Sequence, residues 1–195
     1  MKPNFYYSLL FILVLFSVGC MSEKDDMESD VLFSVLQEND GITILQFNNV
    51  TLEKQDDNPF AIIYSKPYEF DAIPQFGRRL RNDEMTLVYM QWYESSSGPV
   101  WRPIPISTFA TPETSINYTT ETSRRRVTFF LETIGDPTGF DIDNEPVLWD
   151  DLVYRVLVIP TDNFINVPGR MDFSDYDAVV KYFGITEENT VEIDY

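Results

Sequence analysis

The stretch Met85-Thr86-Leu87-Val88-Tyr89-Met90-Gln91-Trp92-Tyr93 is apolar on both alternations, with Met85, Leu87, Tyr89 and Tyr93 on one face and Val88, Met90 and Trp92 on the other. A strand with one wet face alternates apolar with polar, so a run apolar on both sides reads as a central strand covered on both faces. Ser95-Ser96-Ser97-Gly98-Pro99 turns the chain into Val100-Trp101-Arg102-Pro103-Ile104-Pro105. Two alternating prolines cannot donate ladder hydrogen bonds, so this piece is expected to be extended but peripheral.

Further strands are expected on both sides. Val31–Leu36 and Ile42–Phe47 are β-branched and aromatic runs separated by Glu38-Asn39-Asp40-Gly41, and Asp-Gly is a strong turn signal, so a tight hairpin is predicted there. Asp56-Asp57-Asn58-Pro59 reads as a turn before Phe60–Tyr64, and Pro67 and Pro74 mark edge strands or loops. Downstream, Ser115–Thr120 is followed by Arg126–Glu132, where Val127, Phe129 and Leu131 oppose Arg126, Thr128 and Glu132 as in a half-buried antiparallel strand. Leu152–Ile159 is a strongly apolar strand stopped by Pro160, and Thr190–Ile193 is a last short one. Between them Ser174 is the predicted N-cap of a helix, with Asp177 completing a capping box, Tyr176, Val179, Val180 and Phe183 on the apolar face, and Gly184 past its end. About eight strands at short spacing with one small helix predict an all-β chain, an antiparallel β-sandwich of immunoglobulin-like layout with one short C-terminal helix.

The N-terminus has a different logic. Lys2, an apolar core from Phe5 to Phe16 and the small-residue approach Ser17-Val18-Gly19 to Cys20 match a secretory signal, and the core is too short for a span of about 20 apolar residues. Gly19-Cys20 resembles the lipobox of a bacterial lipoprotein, with Ser17 where Leu, Val or Ile is usual. The expected organisation is a signal peptide at 1–19, an acidic tether at 20–30 starting at the lipidated Cys20, and a β-sandwich domain at 31–195. Each buried acyl CH₂ contributes about 0.8 kcal/mol, so the two or more chains on such a cysteine hold stably. Lys24-Asp25-Asp26 resembles the lysine-plus-acidic export signal by which Bacteroidetes lipoproteins reach the outer face of the outer membrane. Outward display is therefore expected, with the periplasmic face as the alternative.

Composition excludes several chemistries. Residues 1–19 contain one basic and no acidic residue, so the mature chain carries 13 basic against 32 acidic residues, a net charge of −19. Such a surface repels phosphate backbones, and no nucleic-acid partner is expected. Hydrophobic content of 44% with 15% aromatic residues suffices for a packed core. Histidine is absent and Cys20 is the one cysteine. This removes Ser-His and Cys-His nucleophile pairs, zinc sites needing His or Cys, redox dithiols and internal disulfides, and no cofactor is expected.

The aromatic strand Val88–Trp92, the Trp101-Arg102-Pro103-Ile104-Pro105 segment, Tyr154–Ile159 ending at Pro160, and the helix start Phe173-Ser174-Asp175-Tyr176 together resemble a family of small, uncharacterised lipoproteins of Flavobacteria and related Bacteroidetes. The resemblance covers most of Val88–Phe183 and implies a lipid-anchored envelope location and the fold. Some members carry the label dihydrolipoamide dehydrogenase, yet this chain has neither a GxGxxG opening a βαβ unit nor a cysteine pair.

Three sets of residues are candidate sites. Trp92, Tyr93, Trp101 and Trp149 are aromatic rings able to stack on sugars, as a glycan-binding sandwich requires. Asp136, Asp141, Asp143 and Glu145 offer oxygen ligands at alternating positions, as calcium prefers, although Pro146 departs from an EF-hand. Carboxylate pairs can hydrolyse glycosides without histidine, but among 32 acidic residues a pair at suitable distance carries no signal. Arg124-Arg125-Arg126, the one basic run, reads as a turn offset by surrounding acids. A non-enzymatic module binding an envelope protein or glycan is expected.

Overall fold

The computed structural model describes residues 41–58, 61–135, 139–165, 167, 169 and 171–194. Its strands are β1 (Thr43–Val50), β2 (Glu53–Asn58), β3 (Ala61–Glu69), β4 (Glu84–Ser95), β5 (Gly98–Pro103), β6 (Ile106–Thr111), β7 (Thr114–Thr122), β8 (Arg126–Gly135), β9 (Leu152–Pro160) and β10 (Thr190–Asp194). Among the described residues one α-helix, α1, covers Tyr176–Tyr182. The strands form two five-stranded sheets, ordered β10-β1-β9-β4-β5 and β2-β3-β8-β7-β6. Among the described residues the fold is an all-β sandwich with one short α-helix.

The connectivity crosses between layers. β3 pairs β8 in one sheet while the next strands in sequence, β4 and β9, pair in the other. Immunoglobulin sandwiches pair their B–E and C–F strands in this way. The edge departs from that scheme: the place beside β9 is taken by β1, and β10 lies outside β1, parallel to it. That arrangement bears on the predicted hairpin at Asp40-Gly41. β1 is paired along Thr43–Phe47 with β9 and along Ile44–Asn48 with β10, so both of its edges are occupied and no hairpin partner fits along it. Val31–Leu36, like the signal and tether segments, lies outside the described residues.

The middle of β4 is covered on both faces, whereas Met85 and Tyr93, read as part of the covered run, are 48% and 53% exposed near its ends. Val88 and Met90 join Leu45, Phe47, Tyr154, Val156 and Val158 in the core between the sheets, facing Tyr64, Tyr68, Ile116, Val127, Phe129 and Leu131. On the opposite face Tyr89, Ile44, Leu157 and Ile159 pack beneath Tyr176, Val179, Phe183 and Ile185. Each fully buried large apolar side chain contributes roughly 1.5–3 kcal/mol, so a seven-residue helix too short to stand alone is held by its apolar face.

The helix starts one residue later than expected. Asp175, not Ser174, is the N-cap, and its side chain accepts from the Ala178 N–H at 3.0 Å. Ser174 donates instead to Asp172 through both its N–H and its hydroxyl. At the other end Gly184 adopts φ +60°, and Ile185 N–H and Gly184 N–H reach back to Val180 O and Lys181 O, a Schellman closure.

Two strands escape the sequence pattern. β2 takes in the Asp56-Asp57-Asn58 cluster expected to be a turn, and β6 lies just after the Pro103 and Pro105 interruption. Pro67 sits inside β3, opposite Thr128 of β8, on a strand that is internal to its sheet. β2 pairs β3 only as far as Ser65, so the missing proline N–H faces a free edge there and costs no ladder bond.

Arg78 grips Glu84 through two hydrogen bonds, Nη1 to Oε2 at 2.9 Å and Nη2 to Oε1 at 2.7 Å, and the Arg81 N–H donates to Oε2 at 2.7 Å. The Glu84 side chain is 1% exposed. Burial pushes its carboxyl up, but the Arg78 and Arg81 hydrogen bonds and the two positive charges outweigh this and hold it below its ordinary value of 4.5. A depressed carboxyl contributes stability above its unfolded pKa and loses it as pH falls through the folded one. The wild type is therefore expected to lose stability below pH 4.5 more steeply than Glu84→Gln. Parallel acid-unfolding curves for the two proteins would remove this account.

Candidate functional site

β9 is a near-continuous apolar run with one charge, Arg155, in its middle. Tyr154, Val156 and Val158 face the inter-sheet core, so the alternation sends Arg155 to the face that α1 covers. A guanidinium inside an apolar layer is costly unless its donors are satisfied. Nε donates to Oε1 of Gln46, its cross-strand neighbour, at 2.7 Å, and Nη1 donates to the Tyr176 hydroxyl at 2.6 Å. Nη2 reaches Oε2 of Glu187 at 3.5 Å. The guanidinium also lies over the Trp101 ring at 4.4 Å and faces Tyr176 at 5.6 Å, within cation–π range.

Three further contacts lock the box. The Tyr176 ring meets Tyr89 edge-on at 5.0 Å and Trp101 at 5.6 Å, and the Tyr89 hydroxyl donates to Phe173 O at 2.8 Å. Burial raises the Tyr176 phenol above its ordinary value, against the opposing pull of Arg155. Burial likewise lifts Tyr89, helped by Tyr176, Asp172 and Asp175. Both phenols stay protonated across the physiological range.

Above this box opens a cleft of about 470 Å³ bounded by the β4–β5 turn, the start of α1 and the Thr186-Glu187 segment, with Arg155 and Trp101 among its lining residues. That size suits a small ligand. Arg155 is the candidate residue that motif reasoning passes over. Its one signal is a lone charge in the Leu152–Ile159 run.

The four aromatic candidates do not share a face. Trp101 is 9% exposed and belongs to the layer beneath α1. Trp149 stacks on Tyr64 at 5.8 Å and donates its Nε1–H to Ile142 O at 3.1 Å, closing one end of the inter-sheet core. Trp92 meets Tyr118 edge-on at 6.3 Å, with Arg102 over its ring at 4.8 Å. Tyr93 alone is well exposed, at 53%, and shares with Trp92 a groove of about 310 Å³.

The acidic loop is occupied by its own hydrogen bonds. Asp141 accepts from Asp143 N–H at 3.2 Å and from Asn144 Nδ2 at 2.7 Å, capping a 3-10 turn. Asp143 accepts from Lys54 Nζ at 2.8 Å and from the Tyr64 hydroxyl, and these two donors hold its carboxyl below the ordinary range. Glu145 is exposed, and Asp136 lies outside the described residues. Among the described residues no group of three acids is arranged to hold a metal ion. Arg124 donates to Leu80 O at 3.0 Å, while Arg125 and Arg126 lie 3.9 and 3.8 Å from Glu69, the offsetting acid. Cys20, Lys24, Asp25 and Asp26 lie outside the described residues. No helix among the described residues is long and apolar enough to cross a membrane. Comparison with known protein families, with curated proteins and with solved structures finds no match for this chain.

Proposed function

We propose that the protein is an outer-membrane lipoprotein, held by acyl chains on Cys20 and displayed toward the cell exterior, whose sandwich is a non-enzymatic binding module. The observation that carries this reading is Gly19-Cys20 closing a short apolar run behind Lys2, with no second cysteine in the chain. Lys24-Asp25-Asp26 supports outward display, and the resemblance to small Bacteroidetes lipoproteins supports the same location. The absence of histidine and of any thiol besides Cys20 supports binding rather than group transfer. The cleft over Arg155 is the surface through which the module binds.

A second reading, glycan binding, is favoured by the groove beside Trp92 and Tyr93, which Gln91 and Asp151 also line. A glycan panel separates the two. Sugar binding lost in Tyr93→Ala and kept in Arg155→Gln assigns the groove, whereas the reverse assigns the cleft.

Cys20→Ala is expected to move the protein from the membrane fraction to the soluble fraction, and protease added to intact cells is expected to digest the wild type. Continued sedimentation of Cys20→Ala with membranes overturns the anchor. Protection of the wild type on intact cells overturns outward display.

A further inference from the structure

We infer that the Arg155 cleft takes a zwitterion, a free amino acid or short peptide, with its carboxylate on Arg155 and its ammonium against Asp175 and Asp177; this rests on the reading of that cleft as the binding surface. A guanidinium has five N–H donors, and those of Arg155 meet Gln46, Tyr176 and Glu187 through one hydrogen bond each. Two donors are left over. The first two partners are neutral, so among the described residues Glu187 is the one ion-pair partner, at 3.5 Å and with a side chain 81% exposed. Such a carboxylate holds the position loosely and stands where a ligand carboxylate would bind.

The charges around the cleft decide what accompanies that carboxylate. Asp175 and Asp177 are exposed on its wall, Glu187 lies beside them, and the whole chain carries −18. A simple anion is repelled on approach, and a simple cation meets Arg155 at the floor. Asp175 spends Oδ1 on the helix cap, and Asp177 is exposed beside it. A ligand carrying both charges satisfies the buried guanidinium and the exposed carboxylates together. The Trp101 and Tyr176 rings lie 4.4 and 5.6 Å from the guanidinium, whose planar set of donors matches the geometry of a carboxylate.

Calorimetry on the full-length chain in detergent micelles tests this with three probes of one shape: Ala-Ala, N-acetyl-Ala-Ala and Ala-Ala amide. Ala-Ala is expected to bind, with each blocked form about tenfold or more weaker, the loss of one charge-assisted contact. Glu187→Gln is expected to tighten Ala-Ala severalfold by removing the competing carboxylate, and Arg155→Gln to abolish binding. Asp177→Asn, an exposed change that leaves the packed layer intact, is expected to weaken Ala-Ala but not N-acetyl-Ala-Ala. Equal binding of Ala-Ala and N-acetyl-Ala-Ala overturns the zwitterion while keeping the cleft. Failure of all three probes to move the Arg155 Nε–H resonance also overturns it. The cleft reading falls separately, if capture of envelope extract by the protein is the same for wild type and Arg155→Gln.

Discussion

Phe129→Ala is expected to lower the free energy of unfolding by about 3–5 kcal/mol, the cost of emptying a large aromatic site that cannot collapse. Phe129 is fully buried at the middle of β8, stacked face to face on Tyr154 at 4.0 Å and flanked by Phe47 at 5.3 Å and Tyr68 at 5.8 Å. β3 and β7 hold the backbone on both sides, so the sheets cannot close over the vacated volume. Against a typical total of about 5–15 kcal/mol, that loss brings the midpoint down by on the order of 10 °C. The partner in the stack behaves oppositely. Among the described residues the Tyr154 hydroxyl has no hydrogen-bond partner, and burial with Tyr118 and Tyr68 nearby pushes its phenol well above the ordinary value. Tyr154→Phe removes an unpaired polar group and is expected to be neutral or stabilising by up to about 1 kcal/mol. Urea unfolding of both variants checks the pair. A loss below about 1 kcal/mol for Phe129→Ala means that this stack is not the centre of the core.

Gly135→Ala is the second large effect. Gly135 closes β8 at φ +120°, and a Cβ there would lie 2.0 Å from the Glu113 carbonyl oxygen, which the β6–β7 turn fixes in place. Strain in φ alone costs about 1–3 kcal/mol, and the backbone clash adds to it, so about 3 kcal/mol or more is expected. Gly98 provides the control. It has φ +118° with no atom within 4 Å of the added Cβ, so Gly98→Ala carries only the conformational cost. The difference between the two melting curves measures the close approach of Gly135 to the β6–β7 turn. Equal losses would show that Gly135 is required for its φ alone.

β4, β8, β9 and the helix are legible in the sequence because each repeats a period that burial imposes: apolar on both alternations, apolar on one, or apolar along one helical face. β2 is not legible, since Glu53-Lys54-Gln55-Asp56-Asp57-Asn58 contains no β-former. Backbone pairing with β3 makes it a strand, and the exposed charges of Glu53 and Lys54 suit a sheet edge. The neighbours of β1 are illegible for another reason. Asp40-Gly41 is a local hairpin signal, while the strand seated beside β1 comes from the far end of the chain and leaves no local trace. The candidate site follows the same rule. Arg155 shows in the sequence as an exception to an apolar run, but Gln46, Trp101, Tyr176 and Glu187 come from four other segments. Only the fold brings them together.

The proposed location rests on Cys20, and the proposed binding role rests on the cleft over Arg155. The most direct measurement is intact mass and N-terminal analysis of the mature protein extracted from membranes. The account predicts a chain beginning at Cys20 and carrying at least two acyl chains. A mature chain that retains Met1, or that begins at an unmodified residue, contradicts it.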